Sequence, residues 1–312
     1  MIYCTLYNPA LDLVYEVSNL EESNTFIDVP SILYPAGKGV NVAKVIATLE
    51  EEVSVVALMP RNDSARFRHS LDEVGAQFIP FEIDGDVRIN TTLLERSSGI
   101  VQHFNSLSMP LSTQLEDQFG RFISERMVAG DTWIFSGSLP RGMDTMGYHN
   151  LIKFAQSKGI ECYLDSRGGA LREALKAKPV VVTPNLSELE EYFGQEINGI
   201  SEIVKRSKSL IAWGIEYLFV TLGEDGLLAF HNDMILRCTA PDIIAVDTVG
   251  CGDAFLAGVT VAIKREFSFR EICRFAVATG SNSAESIGPG IVTKSRIAEL
   301  MESVVLEELS AY

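Results

Sequence analysis

Asp253 stands at the opening of a helix rich in small residues, directly after a glycine-rich turn, in the run DTVGCGDAFLAG from Asp247 to Gly258. Gly250 and Gly252 let the backbone amides of Gly250, Cys251 and Gly252 converge on one point, and a helix start favours an anion there. A carboxylate in that place could take a proton from an attacking hydroxyl. The same residues also describe an ordinary glycine turn followed by an acidic first-turn residue. Two familiar phosphate motifs are excluded. Phe255 stands where a dinucleotide fingerprint needs its third glycine, and in GPGIVTKS (from Gly288) Thr293 stands where a P-loop needs glycine.

Other polar clusters fall along the chain. In PAGKGVNVA, Gly37 and Gly39 would let a ligand approach the backbone, Lys38 could face a phosphate, and Asn41 could bond sugar hydroxyls. Asn185 and Glu188 lie three apart on one helix face, where they could order water around Mg²⁺ or simply form a capping box. The turn Thr221, Leu222, Gly223, Glu224, Asp225, Gly226 could hold a nucleotide through backbone groups, or merely join two strands as a hairpin. Asp12 could accept from two sugar hydroxyls, and Arg88, with Asn90 nearby, could grip a phosphate as a fork of donors. Ser138 sits in SGSLP, which ends a strand at the expected edge of a sheet.

The elements that must position these residues follow from periodicity. Strands are predicted over 2–6, 53–58, 132–135, 162–164, 180–183, 217–221 and 227–230, with a further strand-like run over 243–246. Helices are predicted over 40–49, 65–74, 112–127, 148–158, 186–193, 200–213, 254–264, 269–283 and 294–309. Strands separated by helices of this length imply βαβ units and a largely parallel sheet covered on both faces. Ligands of such sheets sit beyond the carboxyl ends of the strands.

Segments 11–34 and 87–105 alternate polar and apolar residues without a helical period. They are expected to form a small β-sheet lid beside an α/β core made of 1–10, 35–86 and 106–312. Val14, Val17, Ile89 and Leu93 would give that sheet an apolar outer face, suited to lid-to-lid dimerisation.

Composition narrows the function classes. The 312 residues are 46% hydrophobic and 22% charged, as in an ordinary globular protein. Twenty-six basic against 42 acidic residues leave a net charge of −16, which argues against binding duplex nucleic acid or an anionic membrane surface. Five cysteines without a CxxC, and four scattered histidines, argue against a disulfide scaffold and a Cys- or His-based metal site. The N-terminal stretch has no basic n-region and no apolar run long enough to cross a bilayer, so a cytoplasmic setting is expected.

In this order and spacing the motifs resemble the PfkB (ribokinase-like) carbohydrate kinases. DTVGCGDAFLAG matches the C-terminal signature of that family and AGKGVNVAKVIATL the N-terminal one, with NPALD, SGSLP, PNLSE and TLGEDG between or before them in family order. TLYNPALD, Gly37-Lys-Gly39, RIN (Arg88 to Asn90) and LDSRGGAL lean toward the 1-phosphofructokinase and tagatose-6-phosphate kinase branch. Three positions depart from it: Thr183 replaces a usual Lys, Cys251 a usual Ala, and the stretch NSLSMP after the second lid segment lacks the usual Gly-Pro ending.

The resemblance implies a three-layer α/β/α core with a small β lid. It implies ATP and Mg²⁺ as cofactors, with a monovalent cation such as K⁺ as a further candidate. Asp253 would be the general base, with the Gly250, Cys251 and Gly252 amides on the transferring phosphoryl group. Asp12, Gly37, Lys38, Gly39, Asn41, Arg88, Asn90 and Ser138 would bind the sugar phosphate. Thr221 to Gly226, Gly252 and Asn282 would bind ATP, and Asn185 with Glu188 would organise the metal. Fructose 1-phosphate is the expected substrate. Tagatose 6-phosphate, fructose 6-phosphate, an unphosphorylated sugar or nucleoside, and a non-catalytic binding role stand as alternatives.

Overall fold

A computed structural model describes residues 1–20, 25–108 and 116–309. Its first strand, β1 (Ile2–Leu6), is buried throughout, as befits a strand covered on both faces. The chain then leaves the core through β2 (Ala10–Val17) and β3 (Ser31–Ala36) and returns in α1 (Lys38–Thr48), β4 (Val53–Pro60), α2 (Ser64–Asp72) and β5 (Gln77–Ile83). A second excursion forms β6 (Arg88–Glu95) and β7 (Val101–Phe104). Next come α3 (Glu116–Arg126), β8 (Thr132–Ser136), α4 (Gly147–Gln156), β9 (Glu161–Asp165), α5 (Gly168–Leu175), β10 (Val181–Val182), α6 (Leu186–Phe193) and α7 (Gly199–Trp213). The chain ends with β11 (Tyr217–Thr221), β12 (Leu227–His231), β13 (Met234–Thr239), α8 (Cys251–Lys264), α9 (Phe269–Ala284), α10 (Lys294–Ser303) and β14 (Val305–Glu308).

Ten strands form the main sheet, in the order β14-β13-β12-β11-β10-β9-β8-β1-β4-β5. Neighbours from β5 to β11 run parallel, and β12, β13 and β14 add an antiparallel edge. Alternation splits β1 between two cores. Ile2, Cys4 and Leu6 pack with α1, α8 and α9, while Tyr3 faces the layer of α3, α4 and α5. This is the α/β/α sandwich expected from the sequence.

A separate four-stranded sheet, β3-β2-β6-β7, stands beside it. Both segments set apart for it supply its strands. Asp12 pairs in register with Asn90 and Tyr34, so these three share one face with Arg88, and so does Val14. The expected apolar outer face is therefore corrected. Val14 lies on the Asp12 face, Val17 is buried, and Ile89 and Leu93 hold the opposite face with Phe104.

Other boundaries differ for physical reasons. The helix predicted over 294–309 ends at Ser303, because from the β-branched Val305 onward the chain pairs with the open edge of β13. The run 243–246 is not a strand and joins neither sheet. Val246 donates to the carbonyl of Ala284 instead, and Ile244 stays 86% exposed. Strand β5 carries Pro80 and β13 carries Arg237, and both are edge or near-edge strands that dilute the apolar signal. Of the helix predicted over 112–127, residues 112–115 lie outside the described ones, as do 21–24 of the first lid segment.

Candidate active site

The parallel strands end on one edge of the sheet, and the polar motifs gather there. Leu6 ends β1, Ser136 ends β8, Asp165 ends β9, and Asn185 follows β10. Helix α1 starts at the same edge because Gly39 allows it to. A Cβ on Gly39 would lie 2.0 Å from the carbonyl oxygen of Thr5 in β1, so only glycine permits this contact. That approach places Lys38 and Asn41 over the strand ends.

Asp253 lies in the first turn of α8 and is 4% exposed. Asn41 Nδ2 donates to its Oδ2 at 2.7 Å, and Lys38 Nζ lies 3.5 Å from its Oδ1. Burial pushes its carboxyl above the usual range, Lys38 pulls it down, and Asp165 pushes it up again. Lys38 also donates to Asp165 Oδ2 at 2.7 Å. Burial disfavours the ammonium, but Asp165 and Asp253 together outweigh burial and hold it protonated. The charge that the sequence reading gives to a substrate phosphate is thus paired with two carboxylates.

Gly250 caps α8 with φ 82°, and a Cβ there would lie 2.4 Å from Pro289 Cβ. Nothing lies within 4 Å of a Cβ at Gly252, while the amide of Cys251 beside it donates to the carbonyl of Thr248 at 3.4 Å. First-turn amides have no intrahelical acceptor, so this end of α8 attracts anions. The half-buried Cys251 donates its thiol to the carbonyl of Asp247 at 3.8 Å, and burial pushes its pKa up to about 11, so it stays a neutral thiol.

A cavity of about 250 Å³ opens beside this group, with Gly37, Lys38, Gly39, Arg88, Ser138 and Glu188 in its wall. Arg88 Nη1 donates to the carbonyl of Ser106 at 3.3 Å, and its Nε is buried without a partner. Ser138 Oγ accepts from Asn8 Nδ2 at 2.9 Å. Asp12 accepts from Asn90 Nδ2 at 2.8 Å, and burial raises its carboxyl pKa. Asp12 and Asn90 border this region on the small sheet but do not line the cavity itself.

Asn185 and Glu188 form the capping box of α6. Glu188 N donates to Asn185 Oδ1 at 2.8 Å, and Asn185 N to Glu188 Oε2 at 3.0 Å. Glu188 nevertheless lines the cavity, and burial raises its pKa, with Asp165 adding to the rise. Among the described residues no cluster of three or more His, Cys, Asp or Glu could cage a metal. A carboxylate wall of this kind suits Mg²⁺ held mostly by water and phosphate oxygens.

The turn from Thr221 to Gly226 does join two strands as a hairpin. Leu222 N donates to Gly226 O at 2.8 Å, around a 3₁₀ turn at Gly223, Glu224 and Asp225. Gly226 is required there, since a Cβ would lie 1.9 Å from Cys238 O. Thr221 N also bonds Pro184 O at 3.0 Å, which ties this turn to the start of α6. Asn282 is 6% exposed, donating to Glu285 and accepting from Thr293 N, so its amide braces the loop after α9.

Sequence reasoning gave no role to Asp165 or Arg167, although LDSRGGAL was singled out. The signal was their position at the end of β9 and in the turn that follows it. Tyr7 was missed as well: it lines the cavity, 1% exposed, with a hydroxyl that has no partner.

Residues 7–296 match the profile of the pfkB family carbohydrate kinases. A 1-phosphofructokinase of Haemophilus influenzae is 31% identical over 300 residues, 95% of each chain. A 1-phosphofructokinase of Bacillus subtilis is 27% identical over 311 residues, 99% of this chain and 100% of that one. Among solved structures, phosphofructokinase-2 of Escherichia coli in complex with potassium superposes with TM-score 0.89 at 25% identity, over 96% of this chain and 98% of that one. The same enzyme with substrates and products gives TM-score 0.90 at 24% identity, with the same coverage.

Proposed function

The chain belongs to the pfkB family of carbohydrate kinases, and from that premise we propose that it phosphorylates fructose 1-phosphate to fructose 1,6-bisphosphate with ATP. The observation that carries this reading is a buried carboxylate at a helix start, Asp253, held by Asn41 and Lys38 beside a cation-lined cavity. Relatives named 1-phosphofructokinase along nearly the full chain support the choice of sugar.

Phosphoryl transfer needs positioning and charge neutralisation more than covalent help. Asn41 fixes Oδ2 of Asp253, and Oδ1, with Lys38 Nζ 3.5 Å away, accepts the proton of the sugar hydroxyl as the hydroxyl oxygen bonds the γ-phosphorus of ATP and the bond to the leaving ADP breaks. Burial raises the basicity of Asp253, which suits a group that must take a proton during the reaction. Lys38 neutralises Asp165 and Asp253 and keeps two carboxylates from repelling incoming phosphates. The amides of Gly250, Cys251 and Gly252 meet the transferring group. The turn from Thr221 to Gly226 holds the nucleotide, and Glu188 faces its phosphates. Bound Mg²⁺ supplies charge neutralisation of the phosphate oxygens. Asp12 with Asn90 orients the sugar, and Arg88 binds its existing phosphate.

The small sheet serves as a lid whose closure excludes water. Its exposed Ile89 and Phe104 suit pairing with a second copy, giving a homodimer. No helix among the described residues is long and apolar enough to cross a membrane, and all five cysteines are free thiols, which fits a cytoplasmic setting. A K⁺ requirement is tested by assaying with K⁺ against Na⁺.

An ADP-release assay with fructose 1-phosphate, tagatose 6-phosphate, fructose 6-phosphate and free sugars tests the substrate. Fructose 1-phosphate is expected to give the highest kcat/KM. A higher value for any other sugar overturns that choice.

A further inference from the structure

Three cationic side chains line the cavity: Lys38, Arg88 and Arg167. Lys38 is matched by Asp165 and Asp253. The other two have carboxylates nearby, Asp12 for Arg88 and Glu188 for Arg167, but no direct contact with them. Among the described residues neither Arg88 nor Arg167 takes part in an ion pair, and the Arg167 guanidinium has no hydrogen bond. Arg88 keeps a buried Nε without a partner. Burial lowers the pKa of Arg88 first, the Asp12 carboxylate opposes it, and Arg167 adds to the fall, so the two guanidiniums act on each other while Arg167 also lies within the field of Glu188. Two guanidiniums directed at one cavity repel, and an anion between them removes that cost.

We infer that Arg167 is a specificity-determining residue: with Arg88 it clamps the phosphate that the substrate already carries. This rests on the sugar-phosphate kinase reading and names a partner that the reading lacks. The α8 amides at Gly250 to Gly252 are not in this cavity wall; Arg167 shares it with Arg88 and Ser138 of the sugar side, and also with Lys38 and Glu188, so the KM for each substrate is what separates the two phosphates. Arg167 is placed by the turn between β9 and α5, in extended backbone (φ −139°, ψ 166°) just before the first helical residue. Its fork of donors can meet two phosphate oxygens at once, which a lysine cannot.

The test is steady-state kinetics of the full chain with Arg167→Ala and Arg167→Lys, each checked for an unchanged Tm. For Arg167→Ala, KM for fructose 1-phosphate should rise about 10- to 100-fold, the loss of a charge-assisted contact. KM for ATP and kcat at saturating sugar should stay near wild type, and Arg167→Lys should recover only part of the loss. An unchanged sugar-phosphate KM overturns the inference, as does an equal rise in both KM values. A fall in kcat alone also overturns it, placing Arg167 on the transferring group. Failure of the underlying reading shows separately, in the wild type. A chain that turns over only unphosphorylated sugars ends both.

Discussion

The start of α8, joined to the cavity through Lys38, and the four-stranded sheet, which reaches it through Arg88, are built in opposite ways. Asp253 in α8 and Asn41 in α1 are 4% and 6% exposed, and α8 packs against both α1 and α9. On the small sheet, Asp12 and Asn90 are half-buried, Ile89 is 46% exposed and Phe104 55%. The first region fixes geometry through the fold. The second holds its polar residues on strands with few core contacts, the kind of element that opens locally at low free energy. On the proposed function, proton transfer falls to the more buried part and substrate selection to the more exposed one.

Asp253→Asn breaks the rigid half most severely. The replacement keeps the shape and loses only proton acceptance, so kcat should fall by about 10²- to 10⁴-fold while ATP and sugar binding persist. Near-wild-type turnover in a pure preparation would remove Asp253 from the role of base. The same carboxylate sets the pH dependence. A base must be ionised to work, and burial raises its pKa, so kcat should fall with acid at a higher pH than for an ordinary aspartate near 3.9. An acid limb at or below the ordinary carboxylate range contradicts the buried environment.

Gly39→Ala tests whether the fold itself builds the site. The added Cβ would lie 2.0 Å from a backbone oxygen of β1, and neither backbone can yield cheaply. A loss of about 3 kcal/mol or more is expected, read as a fall in the denaturation midpoint. A stable variant with intact kinetics would show that α1 has slack that the structure does not display.

Arg88→Ala probes the other half. KM for the sugar phosphate should rise about 10- to 100-fold from loss of a charged contact, with KM for ATP and Tm almost unchanged. Equal effects on both substrates would move Arg88 away from the sugar side.

How much of this was legible depends on where each signal came from. Asp253 and its glycines could be read because the motif is contiguous and the helix start explains it. The small sheet was legible in segments 11–34 and 87–105, since period-2 alternation survives without context. Lys38 was assigned by charge alone, and nothing local shows that Asp165, 127 residues away, takes that charge. Arg167 and Tyr7 were invisible for the same reason: only the fold brings three strand ends together. Asn185 and Glu188 show the converse, where a capping box and a cavity wall are one pair of residues and sequence offers them as alternatives. The strand at Val305–Glu308 depended on an edge that β13 supplies, which no window over 294–309 contains.

The smallest expected effect concerns the outer surface of the small sheet. Ile89 and Phe104 share the face opposite Asp12 and are exposed in a single copy. If a second copy covers them, Ile89→Asp with Phe104→Asp should shift the sedimentation mass at micromolar concentration from dimer to monomer. Stability of the single chain should change by no more than about 0.5 kcal/mol per site, as for exposed positions. A wild-type chain that is already monomeric at that concentration removes the dimer and leaves the site untouched. Kinetics then sharpen the comparison. Asp253, Asn41 and Lys38 all come from the core of one chain, so kcat at saturating substrate should survive dissociation, while KM for the sugar should follow the sheet. A monomer that loses kcat and keeps its sugar KM would reverse the division of labour between the two regions.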